Sequence, residues 1–507
     1  MDLLTIILLL LLGWLAYRYI KKQGEYFKDR GVPYTPGSSI LNKLIMPFIV
    51  PFMDVQTQVK EVYKKGPIDA KYFGFFESNG PITVIRDIEL IKNITVKHFD
   101  NFPDHRTLVD VEMDPLFGRN LFLIRGDEWR HSRKFLGQFF TSSKMKGMFD
   151  LVKNCTERMI KHLDETPNPK VISSKILFSK QMNDAIASCA FGIAVDSFQD
   201  PNNEFFLRSS KSTNFNETKM AMKFTLAGSA PWLMKLLKIR IVPDDTRLFF
   251  EDLVKSVIDT RAKQEIRRPD LIQMMIDARD STDSNVTLDV PEMTAKAFIF
   301  LFGGLDTTST QLCIITHELA LNPDVQESLY SEVAPLLLSS NPITYDILMH
   351  STPYLDAVIR ESLRKHPIVP MLERVCLKPY QLPPATPESS PLVIQPGDTI
   401  WIPVAGLYND DKLFPDPESF KPERFIERKR DEELGNWMGE IGFGLGPRQC
   451  IGSRFAQMQM KLTIAHLVAR YRLGMKDDSS KKFEYARGVF TPVPKGGFWI
   501  KVERRES

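Results

Sequence analysis

Residues Phe443 to Gly452 read FGLGPRQCIG and run straight into a helical pattern from Ser453 to Ala469. Few folds have a use for such a segment. Gly444, Gly446 and Gly452 let the backbone close tightly around Cys450, and the helix that follows aims its free N–H groups and positive dipole end at the sulfur. A thiolate needs that environment to stay unprotonated, and a shielded thiolate is a ligand for iron. Arg448, two residues before the cysteine, can meet an anionic group with a charge-assisted bond. Phe443 would cover the sulfur from water. The competing reading is a glycine-rich loop that happens to contain a cysteine.

The remaining cysteines, Cys155, Cys189, Cys313 and Cys376, are scattered. The five form no C-x-x-C pair, so neither a disulfide framework nor a zinc site is expected, and a reducing compartment fits. None of the eight histidines has ligand-like spacing. A formal net charge of +3 over 507 residues, without a Lys/Arg-rich block, argues against nucleic acid as a partner. With 43% hydrophobic and 25% charged residues the chain has the composition of a globular fold with a deep interior.

At the amino terminus Leu3 to Tyr17 is apolar apart from Thr5, and Arg18, Lys21 and Lys22 follow. A cleaved signal peptide would carry its positive charge before the apolar run. Here the charge follows it, and Trp14, Tyr17 and Tyr19 suit a membrane interface, so residues 1–25 are expected to be an uncleaved anchor with the remainder facing the cytosol. Residues 26–38, with Pro33, Pro36 and Gly37, form a stiff connector, and 39–507 the catalytic domain. The body is expected to be mainly α with small β-sheets. Met145–Leu163, Phe249–Ala262 and Val325–Leu337 carry apolar residues at spacings of three and four. Strand-like runs are few: Ile82–Ile85, Val393–Ile394, Thr399–Ile402 and Phe498–Val502.

Three further motifs stand apart from the cysteine loop. In TAKAFIFLFGGLDTTST, Thr294 to Thr310, a long apolar run suits a helix crossing the interior. Gly303 and Gly304 cost that helix about 1 kcal/mol each relative to Ala, which makes sense if something large lies against its backbone. Asp306 and Thr307 come just after. The plainer alternative is a helix end with Ser/Thr caps. Glu361 and Arg364 lie one turn apart on a helix expected over Tyr354–Lys365, where an exposed pair is the ordinary reading. Trp129 and Arg133 share one helical face.

With these residues in hand, the sequence resembles the cytochrome P-450 superfamily. The signature F-x-x-G-x-R-x-C-x-G is met at every position from Phe443 to Gly452, with Gly442 where many members have Pro. The resemblance covers the chain from anchor to last strands, with the motifs in family order. It implies the P-450 fold and a haem b whose iron is held by Cys450, with Arg448, Trp129, Arg133, Arg374 and Arg106 toward its propionates. For Arg106 a surface salt bridge is the alternative. Gly303 and Gly304 would let the central helix pass over the haem, and Asp306 and Thr307 would relay protons in dioxygen activation, aided by a local widening of the helix. Glu361, Arg364 and Arg424 (of Pro422–Phe425) would form a buried structural network. Phe298, Ile299, Phe302, Val369, Leu372 and Phe490 would line an apolar pocket, with core packing as the alternative for each.

The same resemblance implies a monooxygenase of the endoplasmic reticulum membrane. It would draw NADPH-derived electrons from NADPH–cytochrome reductase, with cytochrome b5 as a second donor. The stretches HFDNFPDHR, DPLFGRNLFLIRGDEWR and FFTSSKMKGMF look like the insect microsomal detoxification branch, which implies lipophilic xenobiotics such as plant toxins or insecticides. The alternatives are oxidation of endogenous lipids or hormones, a haem-thiolate isomerase or dehydratase that needs no reductase, and a non-catalytic haem sensor.

Overall fold

The computed structural model describes residues 25–35, 54–77, 80–106, 109, 111–214, 218–280, 288–340, 342–427, 439–477, 483–487 and 491–506, with positions 7, 11, 13, 14, 17 and 18 before them. Most of the expected anchor, the end of the connector and Phe490 lie outside the described residues.

In chain order the labelled elements are α1 (Val55–Lys65), β1 (Tyr72–Glu77), β2 (Gly80–Ile85), α2 (Gly126–Gly137), α3 (Ser142–Glu165), β3 (Lys170–Ser173), α4 (Ser174–Ile186), α5 (Glu204–Thr213), α6 (Thr218–Ser229), α7 (Pro231–Leu237), α8 (Asp244–Gln264), α9 (Leu271–Arg279), α10 (Val290–Leu321), α11 (Pro323–Leu337), α12 (Pro353–Lys365), β4 (Leu372–Val375), β5 (Tyr380–Leu382), β6 (Leu392–Ile394), β7 (Thr399–Ile402), α13 (Ser453–Arg470), β8 (Tyr471–Met475) and β9 (Trp499–Arg504).

The axis of the molecule is α10. Its 32 residues reach about 48 Å at 1.5 Å per residue. Asp289 caps its start by accepting the N–H of Glu292 at 2.8 Å, and Pro291 sits in the first turn, where its missing N–H costs nothing. Buried residues surround the helix on nearly every side, as expected of an interior helix. Among the described residues it alone is long and apolar enough to cross a membrane, but 72% of its apolar window is buried in protein. Packed around it are α4, α5, α8, α12 and α13. Each large side chain removed from water in these contacts is worth about 1.5–3 kcal/mol.

Sheet is confined to small pieces. One has the order β1-β2-β7-β4, with β2 and β7 parallel and the other pairs antiparallel. The others are β3-β9-β8 and β5-β6. In its described part the expected connector packs against the domain. Phe27 and Val32 are buried in a core cluster, and Tyr34 bridges to Gly74 of β1. Gly74 is required there, because a side chain at that position would collide with the Phe27 ring. An aromatic and a β-branched residue within six positions give this stretch apolar surface to bury.

Candidate functional site

Cys450 hangs at the end of a loop that the sequence builds from two glycines with positive φ, Gly444 at 85° and Gly446 at 67°. Gly446 has no room for a side chain, since a Cβ there would meet the Thr95 carbonyl. The loop closes when the Cys450 N–H donates to the Phe443 carbonyl at 2.7 Å. Phe443 itself is half-buried against the main core. The Cys450 residue is exposed although protein surrounds it, so its sulfur faces an internal space. Burial pushes its thiol pKa up, against the opposing pull of the Gly452 N–H and the Arg133 charge. The helix N-terminus and Arg133 thus favour the thiolate, and burial opposes it.

A series of cations with unequal partners runs from Arg133 beside the sulfur to Arg448 and Arg374. Arg133 on α2 is near enough to feel the Cys450 charge, and burial lowers its pKa. Arg374 on β4 is 1% exposed, with its Nε left without an acceptor and one bond from Nη1 to the Glu373 carbonyl at 2.7 Å. Burial, with Arg448 nearby, pulls its pKa down to about 10. A buried guanidinium that is only partly satisfied is costly and fits an anion. Arg448 is better provided for. Its Nη2 lies 2.8 Å from Asp104 Oδ1, its Nε donates to the Pro103 carbonyl at 2.7 Å, and its guanidinium stacks 3.9 Å from the Trp129 ring. Asp104 is held in place by the edge of β4, where the Val375 N–H donates to its carbonyl at 2.8 Å. Arg106, expected at a propionate, is instead clamped by Glu77 and Glu373, the salt-bridge alternative.

On α10 the two glycines turn out to differ. A Cβ on Gly303 would meet nothing within 4 Å, and the residue is exposed within a helix that is otherwise mostly buried. Gly304, expected to face the cofactor, packs on α4 instead, where a Cβ would lie 3.2 Å from Ile186 Cδ1. Phe140 links this helix to the cysteine loop: its ring stacks on Phe300 at 5.1 Å and sits 3.8 Å from where a Gly452 Cβ would be. Thr307 follows Gly303 by one turn and donates its hydroxyl to the Gly303 carbonyl at 2.6 Å. The expected widening is absent, because α10 is α-helical throughout and the hydroxyl bonds the carbonyl a turn back without opening the ladder. Asp306 is buried. Its Oδ1 accepts from Lys175 Nζ at 2.7 Å, and its Oδ2 from Thr491 Oγ1 at 3.3 Å.

Behind the loop, Glu361 and Arg364 are fully buried and joined by two bonds of 2.8 Å, not displayed on the surface. Arg424 Nε donates to Glu361 at 3.1 Å and the Lys421 N–H at 2.9 Å. Arg364 also donates to the Tyr408 carbonyl at 3.0 Å, and the Tyr408 hydroxyl accepts the Gly442 N–H at 3.0 Å. This chain of bonds ties the network to the start of the cysteine loop.

Of the pocket residues, Ile299, Val369 and Leu372 are half-buried, and Phe302 meets Phe117 at 4.6 Å between ring centres. For Phe298 the core-packing alternative is the one met: the side chain is fully buried and packs on Phe250 of α8, at 5.3 Å, so it belongs to the core. Asp104, Lys175, Tyr408 and Phe117 were not anticipated. Only the run of acceptors Asp306, Ser309 and Thr310 hinted that a cation must face α10. Among the described residues no group of three or more His, Cys, Asp or Glu side chains could hold a metal ion.

A model of the cytochrome P-450 family matches residues 44–499. Cytochrome P-450 9e2 of Blattella germanica is 37% identical over 469 residues, 86% of each chain. Cytochrome P-450 9b2 of Drosophila melanogaster is 33% identical over 507 residues, 98% of each. The probable cytochrome P-450 6a14 of the same fly is 32% identical over 524 residues, covering 99% of this chain and 100% of its own.

Proposed function

The chain belongs to the cytochrome P-450 family of haem-thiolate monooxygenases, and from that premise we propose that Cys450 is its iron ligand and that lipophilic xenobiotics are its substrates. The observation that carries the assignment of the ligand is the pairing of a sulfur facing an internal space with a buried, under-satisfied guanidinium at Arg374. A flat dianionic ring with a metal at its centre suits both: the metal replaces the thiol proton, and a propionate supplies the acceptor that Arg374 lacks. Arg133 would hold the same group, with Arg448, Trp129 and Asp104 fixing the wall beside it. Open space at Gly303 supports a ring lying against α10.

When bound, the haem supplies the activation of dioxygen and the transfer of one oxygen atom to substrate. The chain's own residues manage protons and exclusion of water. Asp306 Oδ1 holds its hydrogen bond from Lys175, so passing a proton toward the Thr307 hydroxyl requires that contact to loosen. Thr307 donates to the Gly303 carbonyl and keeps its oxygen lone pairs free to accept. Electrons would come from NADPH through NADPH–cytochrome reductase, with cytochrome b5 assisting. Residues 1–25 would anchor the protein in the endoplasmic reticulum membrane, with 39–507 in the cytosol. The exposed Ile7, Leu11, Trp14 and Tyr17, followed by basic residues, support that anchor. The 34 Phe against 13 Tyr support an apolar pocket, as does the likeness to the insect microsomal branch.

The test is spectroscopic. Reduced wild-type protein under carbon monoxide should show the band of thiolate ligation, and Cys450→Ala should lose it. A variant that keeps the band moves the ligand elsewhere. NADPH consumption that depends on added reductase, with product formed, separates a monooxygenase from an isomerase.

A further inference from the structure

Between Val111 and Ile124 the chain forms turns without a helix or strand. At one end this segment is fastened beside the cysteine loop, where the carbonyls of Leu121 and Ile124 accept from Arg448. In its middle it reaches α10, with the Phe117 ring against Phe302, the residue before the open position at Gly303. Phe117 also meets Phe224 of α6 at 5.8 Å. The segment and the α6–α7 region thus close over the same space from two sides.

One buried group joins the two sides. Asp114 is 1% exposed. Its Oδ1 accepts the N–H groups of Leu116 at 3.1 Å and Phe117 at 2.8 Å, which shapes the local turn. Its Oδ2 accepts the Val242 N–H at 2.8 Å, on the stretch between α7 and α8. Asparagine would serve the turn equally well, without the cost of a buried charge. The carboxylate's distinctive use is its second oxygen, which reaches across. The Arg240 charge acts on it only from beyond ion-pair distance, and burial, the larger influence, raises its pKa. The Glu112–Lys235 pair beside it spans the same gap at 2.8 Å but is solvent-exposed and holds weakly.

We propose that Asp114 is a latch on the route by which substrate reaches the site. Its bond to Val242 holds the 111–124 segment shut, and releasing it withdraws Phe117 from Phe302 and uncovers the space beside Gly303. The inference rests on the proposed function in one respect, that this space is where substrate is oxidised. A single charge-assisted bond biases the closed state while leaving opening within thermal reach.

The test uses full-length, haem-loaded protein and two iron ligands of different size, clotrimazole and carbon monoxide, followed by stopped-flow absorbance. In Asp114→Asn the amide keeps the turn but presents a donor to one side, so the cross-link is lost. Clotrimazole should then bind and leave faster, on the order of tenfold, with carbon monoxide unaffected. Unchanged clotrimazole rates, or equal changes for both ligands, overturn the latch. Should the variant fail to fold, hydrogen exchange on wild-type protein decides. The amides of Leu116, Phe117 and Val242 should open together and slow together when clotrimazole is bound, and independent exchange overturns the proposal. A wild-type protein whose spectrum does not respond to either ligand refutes the haem reading instead, and leaves the coupled exchange to judge the latch.

Discussion

Lys175 on α4 places its ammonium 2.7 Å from Oδ1 of Asp306 on α10, and donates from the same nitrogen to Ser309 Oγ at 2.8 Å and Thr310 Oγ1 at 2.7 Å. An ammonium has three protons, and here each has an acceptor. Removing one partner of a buried pair strands the other charge, at a cost of about 3–5 kcal/mol. Lys175→Met should therefore lower the unfolding temperature and also disturb proton delivery, seen as less product per NADPH consumed. A variant with wild-type coupling would show that Lys175 only holds two helices together.

The glycines of the site make opposite predictions. Gly446→Ala puts a side chain into the Thr95 carbonyl at a φ of 67°, where the left-handed backbone alone costs about 1–2 kcal/mol. The purified variant should carry little haem, measured as Soret absorbance relative to protein absorbance. Gly303→Ala meets no neighbour and gains helix propensity of about 1 kcal/mol, so it should fold normally. Its effect should appear in the ligand-binding spectrum, because the new methyl enters the open space at Gly303. Full haem loading in Gly446→Ala would refute the account of the loop.

The parts legible in the sequence were those written in neighbouring residues. The loop around Cys450, the helix over Tyr354–Lys365 and the Glu361–Arg364 pair each declare themselves within about one turn of chain. Asp104 could not be read this way, because its partner Arg448 lies 344 residues away and nothing local demands it. The same holds for Lys175, 131 residues from Asp306. On α10 the difficulty was one of phase. A helix buried on nearly all sides has no polar face to fix its rotation, so the sequence alone does not tell that Phe298 and Gly304 point at α8 and α4. Arg106 carried a family expectation, and the carboxylates that claim it come from β1 and β4. The sequence of β1, YFGFFE, shows no alternation that would mark it as a strand.

Glu361 accepts from Arg364, Arg424 and the Lys421 backbone at once, so its loss would strand a guanidinium that is 0% exposed. Glu361→Ala should destabilise the protein by about 3–5 kcal/mol, and Tyr408 gives a path by which the damage reaches Gly442 and the cysteine loop. The expected outcome is aggregated or haem-poor protein. Arg424→Ala, which leaves the Glu361–Arg364 pair intact, should cost less and give soluble protein with a lowered unfolding temperature. Equal stability of the two variants would mean that the network is not centred on Glu361.

Acid should weaken the fold through histidines that are buried in neutral form, among them His466 and His317. His466 on α13 accepts from Arg470 at 3.2 Å, and burial, with the charges of Arg470 and Lys153, pushes its pKa down to about 3. Burial likewise brings His317 on α10 to about 4. Both would titrate near 6.5 in the unfolded chain, so the unfolded state takes up protons that the folded state refuses. Their stabilising contribution is complete above pH 6.5, drains as pH falls below it, and is exhausted near the folded values. Each group supplies a slope of up to about 1.4 kcal/mol per pH unit within that window. Urea midpoints measured from pH 7.5 down to pH 5 should fall accordingly. His466→Leu has no proton to take up at that position, so its midpoints should decline less steeply, with His317 and the other buried histidines, His105 and His366, keeping the remainder of the slope. A decline as steep as that of the wild type would assign the acid sensitivity to other groups.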